Sequence, residues 1–168
     1  MDARDVLDVL AVLAEDGVDA VLHGGWGIDA VVGSQDRDHD DVDLLMSQGH
    51  LSLAVASLSL VGFTVIDDDD AEGGPATVTM VDRCGRRVDL TALRSDDAGD
   101  QWMGDGRAAV AFPSSAFTDG WVAGREVRCV AAVKQVELHD GYPPRERDRH
   151  DMVSLQEKFG ILPPPQYR

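Results

Sequence analysis

Two aspartates separated by one residue, Asp41 and Asp43, stand in the run Asp40-Asp41-Val42-Asp43-Leu44. If that run is a strand, both carboxylates project from one face, a few ångströms apart. Bare carboxylates so close repel each other unless a proton or a cation sits between them. An oxygen-only pair suits a hard ion such as Mg²⁺ or Mn²⁺, which keeps waters and accepts phosphate oxygens. A third acid, Asp89 in Arg87-Val88-Asp89-Leu90, is flanked by apolar residues and needs a reason to lie in an interior strand. Upstream, Gly24-Gly25 falls where a strand hands over to a helix. Glycine there lets the backbone approach a ligand, and the helix's first N–H groups favour phosphate.

The elements that must position these groups follow from periodicity. Val6, Leu7, Leu10, Leu13 and Ala14 mark an amphipathic helix ended by Gly17. Val18 to Leu22 reads as a short strand and Trp26 to Val32 as a helix stopped by Gly33; Val42, Leu44 and Leu45 alternate partly with Asp41 and Asp43, as a strand would. A helix over Leu51 to Leu60 is closed by Gly62, and Phe63 to Ile66 is a strand. Asp67 to Asp70 with Gly73-Gly74-Pro75 reads as a solvated turn. Ala76 to Val81 and Arg87 to Leu90 form a hairpin across Asp82 to Arg86. Arg94 to Gly106 reads as irregular, Glu126 to Val130 as a strand, and Ala131 to His139 and Arg145 to Phe159 as helices. Pro163-Pro164-Pro165 predicts an extended tail. The fold class is therefore α/β (α+β), a mixed sheet flanked by helices, because a tight hairpin excludes an all-parallel sheet. One domain is expected over 1–168, with a core to about residue 130, a helical part over about 131–160 and a tail beyond.

The spacing of Gly24 to Asp43 resembles the signature of the DNA-polymerase-β-like nucleotidyltransferase superfamily: a small-residue pair, a helix, then Asp-x-Asp on a strand. Gly-Gly-Trp-Gly-Ile-Asp-Ala with Arg37, His39 and Asp41-Val42-Asp43 is similar to the small antibiotic nucleotidyltransferases. These are the lincosamide enzymes of the LinA type and the aminoglycoside 2''-nucleotidyltransferases. Gly124-Arg125, Cys129, Gln135, His139-Asp140-Gly141-Tyr142, Asp148 and Asp151 continue the resemblance to the lincosamide group. It implies that Asp41 and Asp43 hold metal, that Asp89 is metal ligand, general base or both, and that Gly24 and Gly25 form the phosphate loop. Arg37 and Lys134 are then candidate partners of the triphosphate, and Asp148 and Asp151 a face that could line the acceptor pocket. The implied chemistry is Mg²⁺-dependent transfer of a nucleoside monophosphate from an NTP, such as ATP, to a hydroxyl of a small molecule.

Other residues carry plainer expectations. Asp40 is read as solvated, Asp29 as structural, Trp26 as core, and the pair His150-Asp151 as surface. His39 could position the aspartates, contact substrate or cap a strand, and the sequence does not rank these. Trp102 and Trp121 fall in irregular regions where an aromatic wall is conceivable. Cys84 and Cys129 read as small buried hydrophobes in a reduced, cytoplasmic setting, with no signal peptide expected.

Charge narrows the function classes. The chain carries 15 basic residues against 31 acidic ones, a formal net charge of −16. Nucleic-acid binding requires clustered cations, so no nucleic-acid partner is expected. A tRNA-modifying nucleotidyltransferase toxin, the first alternative, is disfavoured on that ground. A second alternative, a non-catalytic relative that binds nucleotide or small molecule, is opposed by the presence of all three carboxylates. Acidity favours cations and amine-bearing small molecules. No membrane-spanning run is present. Oligomeric state is open, a homodimer included.

Overall fold

The computed structural model describes residues 1–69, 75–97, 99–106, 109–140 and 142–168. Among them, five α-helices and nine strands follow one another as α1 (Ala3–Glu15), β1 (Val21–His23), α2 (Gly24–Val32), β2 (Asp41–Ser47), α3 (Gln48–Leu60), β3 (Phe63–Asp69), β4 (Thr77–Asp82), β5 (Arg87–Ser95), β6 (Gln101–Met103), β7 (Val110–Phe112), β8 (Phe117–Val122), β9 (Arg125–Val130), α4 (Ala132–Leu138) and α5 (Glu146–Phe159). The strands form one mixed sheet in the order β3-β4-β5-β2-β1-β9-β8, with β6 and β7 continuing from β5. β2 pairs with β5 in parallel, as β1 does with β9, and the remaining pairs are antiparallel. No helix among the described residues is long and apolar enough to cross a membrane.

Alternation along β2 divides the sheet into two faces. Val42, Leu44 and Met46 join Val88 and Leu90 of β5 in a core covered by Val6, Val9 and Leu13 of α1 and by Ala54 and Leu58 of α3. The opposite face carries Asp41, Asp43 and Leu45 on β2. At its far end Leu45, Val21 and Leu93 pack under Phe112 and Ala116. A third cluster joins Ile28 of α2 to Ala132 and Val136 of α4 and to Met152 and Leu155 of α5. Helix ends follow local chemistry. Asp2 and Asp5 accept each other's backbone N–H at the start of α1, and Gly33 closes α2 in the left-handed conformation.

Several expectations shift. The first strand is displaced to Val21–His23, so His23 belongs to the sheet and the helix begins at Gly24 itself. β3 runs on through Asp69 where a turn was expected, while Asp70 and Gly73-Gly74 lie outside the described residues. The stretch read as irregular contains the end of β5 and all of β6, which places Trp102 in a strand. The tail is not merely extended: Pro163 is buried and a short 3₁₀ turn spans Pro165–Tyr167. Cys129 is buried, which pushes its thiol up to about 12, but Cys84 is exposed.

The β8–β9 hairpin escapes pattern reading because Gly120 interrupts it. A Cβ at that position would lie 2.5 Å from the Ala30 carbonyl oxygen and 2.8 Å from the Cys129 sulfur, so β8 approaches α2 backbone to backbone. Val122 pairs with Arg125 across Ala123-Gly124, both at positive φ, as a two-residue turn requires. Gly120→Ala is therefore expected to cost about 1–3 kcal/mol through overpacking. Urea unfolding measures it, and an unchanged midpoint would contradict the close approach.

Candidate active site

Backbone register assembles the acids. Asp43 is paired with His23 across β1–β2 and with Asp89 across β2–β5, and Asp89 with Thr79 across β4–β5. In-register residues on neighbouring strands share a face at roughly 5 Å spacing. His23, Asp43, Asp89 and Thr79 thus form one transverse row over four strands, and Asp41 stands in the adjoining row opposite Arg87. The sequence-level trio Asp41, Asp43 and Asp89 is brought together here.

Burial and repulsion act together in this row. Burial, and then the negative charges of Asp41 and Asp89, push Asp43 up to about 7. Arg147 and Arg87 act in the opposite sense without cancelling it. Asp89 is held by its neighbours: the Thr79 hydroxyl donates to Oδ1 at 2.6 Å, and Arg87 Nε and Nη2 reach Oδ1 and Oδ2 at 3.2 Å each. Burial brings His23 down to about 4 against the pull of Asp89, so its ring is neutral. Its Nε2 is buried with no protein partner.

The glycines fit the same logic. Gly24 has φ +59°, and a Cβ on it would fall 2.1 Å from Asp43 Oδ2, so a side chain is excluded on both grounds. A Cβ at Gly25 would meet Arg37 Nη2 and His39 Nδ1 at 2.5 Å. No side chain caps the first turn of α2, which leaves its backbone N–H groups for an anion.

The loop between α2 and β2 is fastened on three sides. Arg37 donates from Nε and Nη2 to both oxygens of Asp151 at 2.8 Å. His39 is buried, 2.5 Å from Asp29 through Nε2, with its ring 4.7 Å from that of Trp26. The Met1 amino group donates to the His39 carbonyl, and Ser154 donates to Asp36 at 3.1 Å. Arg37, singled out for the triphosphate, is thus committed to a carboxylate of α5. Asp151, expected at the surface beside His150, is buried beneath it. Lys134 is buried too, donating to Glu137 at 2.8 Å with its ammonium 4.8 Å from the Phe112 ring centre. Asp148 is buried and accepts from the Arg145 backbone and guanidinium. Asp40 is exposed and Trp26 is core, as read from the sequence. Sequence reasoning missed His23, Arg87 and Arg147. Arg87 was legible two residues before Asp89 on the same strand, whereas Arg147 acts from α5 by tertiary packing.

Could this row hold a divalent ion? Among the described residues no three acids, imidazoles or thiols already converge closely enough to do so. The donor set nevertheless fits. Asp41 and Asp43 offer hard oxygens on one face, burial and neighbouring negative charge make a cation beside Asp43 favourable, and Asp89 stands in register with Asp43 as a third carboxylate.

A mixed sheet carrying a glycine pair and in-register carboxylates is the arrangement expected of a nucleotidyltransferase, and the comparisons with known proteins establish that class. The aminoglycoside-2''-adenylyltransferase family matches residues 5–155, so this chain belongs to that family and is a nucleotidyltransferase. A lincosamide resistance protein of Staphylococcus haemolyticus is 23% identical over 136 residues, 80% of this chain and 82% of the relative. Two solved structures share the fold. The lincomycin-bound lincosamide antibiotic adenylyltransferase LnuA has a TM-score of 0.79 at 21% identity, covering 91% of this chain and 95% of its own. ANT(2'')-Ia in complex with adenylyl-2''-tobramycin has a TM-score of 0.70 at 20% identity, covering 92% and 87%.

The raised Asp43 couples ion binding to pH. A folded-state value above the unfolded 3.8 means that the metal-free fold loses stability as pH rises from about 4 to about 7. Divalent affinity should therefore tighten as pH rises through about 7 and level off above it. At pH 8, Asp43→Asn should stabilise the metal-free protein by roughly 1–4 kcal/mol and abolish its Mg²⁺-induced rise in Tm. Thermal scans with and without Mg²⁺ at pH 5, 7 and 8 read both effects; a pH-independent Mg²⁺ response would contradict them.

Proposed function

We propose that this chain transfers a nucleoside monophosphate from an NTP to a hydroxyl of a small antibiotic or related metabolite, with Mg²⁺ as cofactor. The carrying observation is the register that sets Asp43 beside Asp89 with Asp41 on the same face. Asp41 and Asp43, with Asp89 as the third carboxylate, are the residues to hold the ion. A bound Mg²⁺, which Mn²⁺ could replace, would offset charge on the triphosphate and on the leaving pyrophosphate. Gly24 and Gly25 let the phosphates approach the backbone, and the free N–H groups of α2 receive them.

Asp89 is assigned as general base. Its carboxylate takes the proton of the acceptor hydroxyl as that oxygen attacks the α-phosphorus, while Thr79 fixes its orientation from 2.6 Å. The assignments of His39, Arg37, Asp148 and Asp151 move from direct contact to support. Their pairs hold the loop that delivers Asp41 and the helix behind it. Lys134, paired with Glu137, is placed with them.

The acceptor is assigned to hydroxylated amines. The net charge of −16 favours a cationic ligand, and the likeness to structures bound to lincomycin and to adenylyl-2''-tobramycin supports that chemistry. Free thiols at Cys84 and Cys129 suit a reducing cytoplasm.

Pyrophosphate release tests this reading directly. Each NTP is incubated with Mg²⁺ and a panel of lincosamides, aminoglycosides and simple sugars. Acceptor-dependent release is expected, falling by about 10³-fold or more in Asp41→Asn and Asp89→Asn. Release that persists in both variants, or no turnover with any hydroxylated amine, would count against the proposal.

A further inference from the structure

Arg87 touches the carboxylate assigned as base. It stands on β5 two residues before Asp89, on the same face, and its fork spans both carboxylate oxygens at 3.2 Å. Across the sheet it is paired with Asp41. The Arg87 side chain is 48% exposed and that of Asp89 14%, so the guanidinium closes over the acid from the solvent side. A divalent ion that recruited Asp89 would have to displace it, since two cations on one carboxylate repel each other.

A displaced Arg87 stays on the face of Asp41 and Asp43 with a planar set of donors that matches phosphate oxygens. The cations first considered for that task are committed elsewhere, Arg37 to Asp151 and Lys134 to Glu137. Arg87 has only a partly exposed ion pair to give up, which costs little. We infer that Arg87 is a placeholder, holding Asp89 while the carboxylates carry no divalent ion and turning onto the nucleotide's phosphates when one binds. This rests on the metal–nucleotide reading above and adds a specific exchange to it. No bond is made or broken; an ion pair to carboxylate is traded for one to phosphate.

The test uses the full chain and Mn²⁺, whose free concentration is read by electron paramagnetic resonance, without nucleotide or acceptor. Arg87→Gln should bind Mn²⁺ about tenfold more tightly than the unaltered protein. That gain should shrink markedly when Arg87→Gln is compared with its parent in an Asp89→Asn background, because the obstructed carboxylate is then gone and only the charge of Arg87 acting on Asp41 and Asp43 remains. With Mn²⁺ saturating, Arg87→Gln should bind α,β-methylene-ATP about tenfold more weakly in equilibrium dialysis. Unchanged or weaker Mn²⁺ binding in Arg87→Gln, an undiminished gain in the Asp89→Asn background, or undiminished nucleotide affinity would each overturn the inference. If the unaltered protein binds neither Mn²⁺ nor the analogue, the metal–nucleotide reading itself fails and takes the placeholder with it.

Discussion

Three carboxylates on two adjacent parallel strands repel one another, and much of the surrounding structure exists to keep them there. A sheet is suited to that task because its hydrogen-bond ladder and the alternation of buried apolar residues together fix its register. Moving the backbones of Asp43 and Asp89 apart means slipping β2 against β5, and a slip of β2 by one residue would turn Val42 and Leu44 out of the core. Burial of those apolar residues against α1 and α3 therefore holds the acids on the other face together. Burial and their mutual repulsion together raise the Asp43 carboxyl, and Arg87 and Thr79 attach to Asp89.

The same demand explains the loop before β2. Asp41 is the first residue of its strand, so its position depends on a polar segment with little apolar anchorage of its own. Arg37 fastens that segment to α5, His39 to α2, and the Met1 amino group to the start of α1. These bonds are partly or wholly buried, where an unmatched charge is costly, so each partner constrains the other. Residues that share a signature with Asp41 and Asp43 thus include some whose contribution is mechanical. Arg37 and His39 set the geometry, and Gly25 is small because both side chains press on it.

Legibility in the sequence followed the range of the interactions. Asp-x-Asp on a strand, the glycine pair and the hairpin over Asp82 to Arg86 are local patterns, and each was found where expected. What escaped depends on contacts distant in the chain. Gly120 reads as a breaker until Ala30 is seen against it, and β6 and β7 are three-residue strands that only pairing with β5 and each other defines. Asp151 looks like one more charge on a polar helix, and its burial becomes intelligible only through Arg37, 114 positions upstream. His23 is intermediate: its place at a strand end was readable, but its neighbours Asp43 and Asp89 come from register.

A consequence of this division is that acid positions and cation positions are set by different forces. The acids are fixed by backbone pairing and a core that tolerates little change. Arg87 and Arg147 are exposed long side chains whose guanidinium groups can shift by rotamer changes alone. Electrostatics link the two sets, since both arginines lower the carboxyl of Asp43 that its fellow acids raise. The sheet can thus keep one arrangement of carboxylate oxygens while the exposed arginines are free to adopt other rotamers. For a reaction that brings in a triphosphate and expels pyrophosphate, the fixed part suits an ion that must be held still. The mobile part suits phosphates that must arrive and leave.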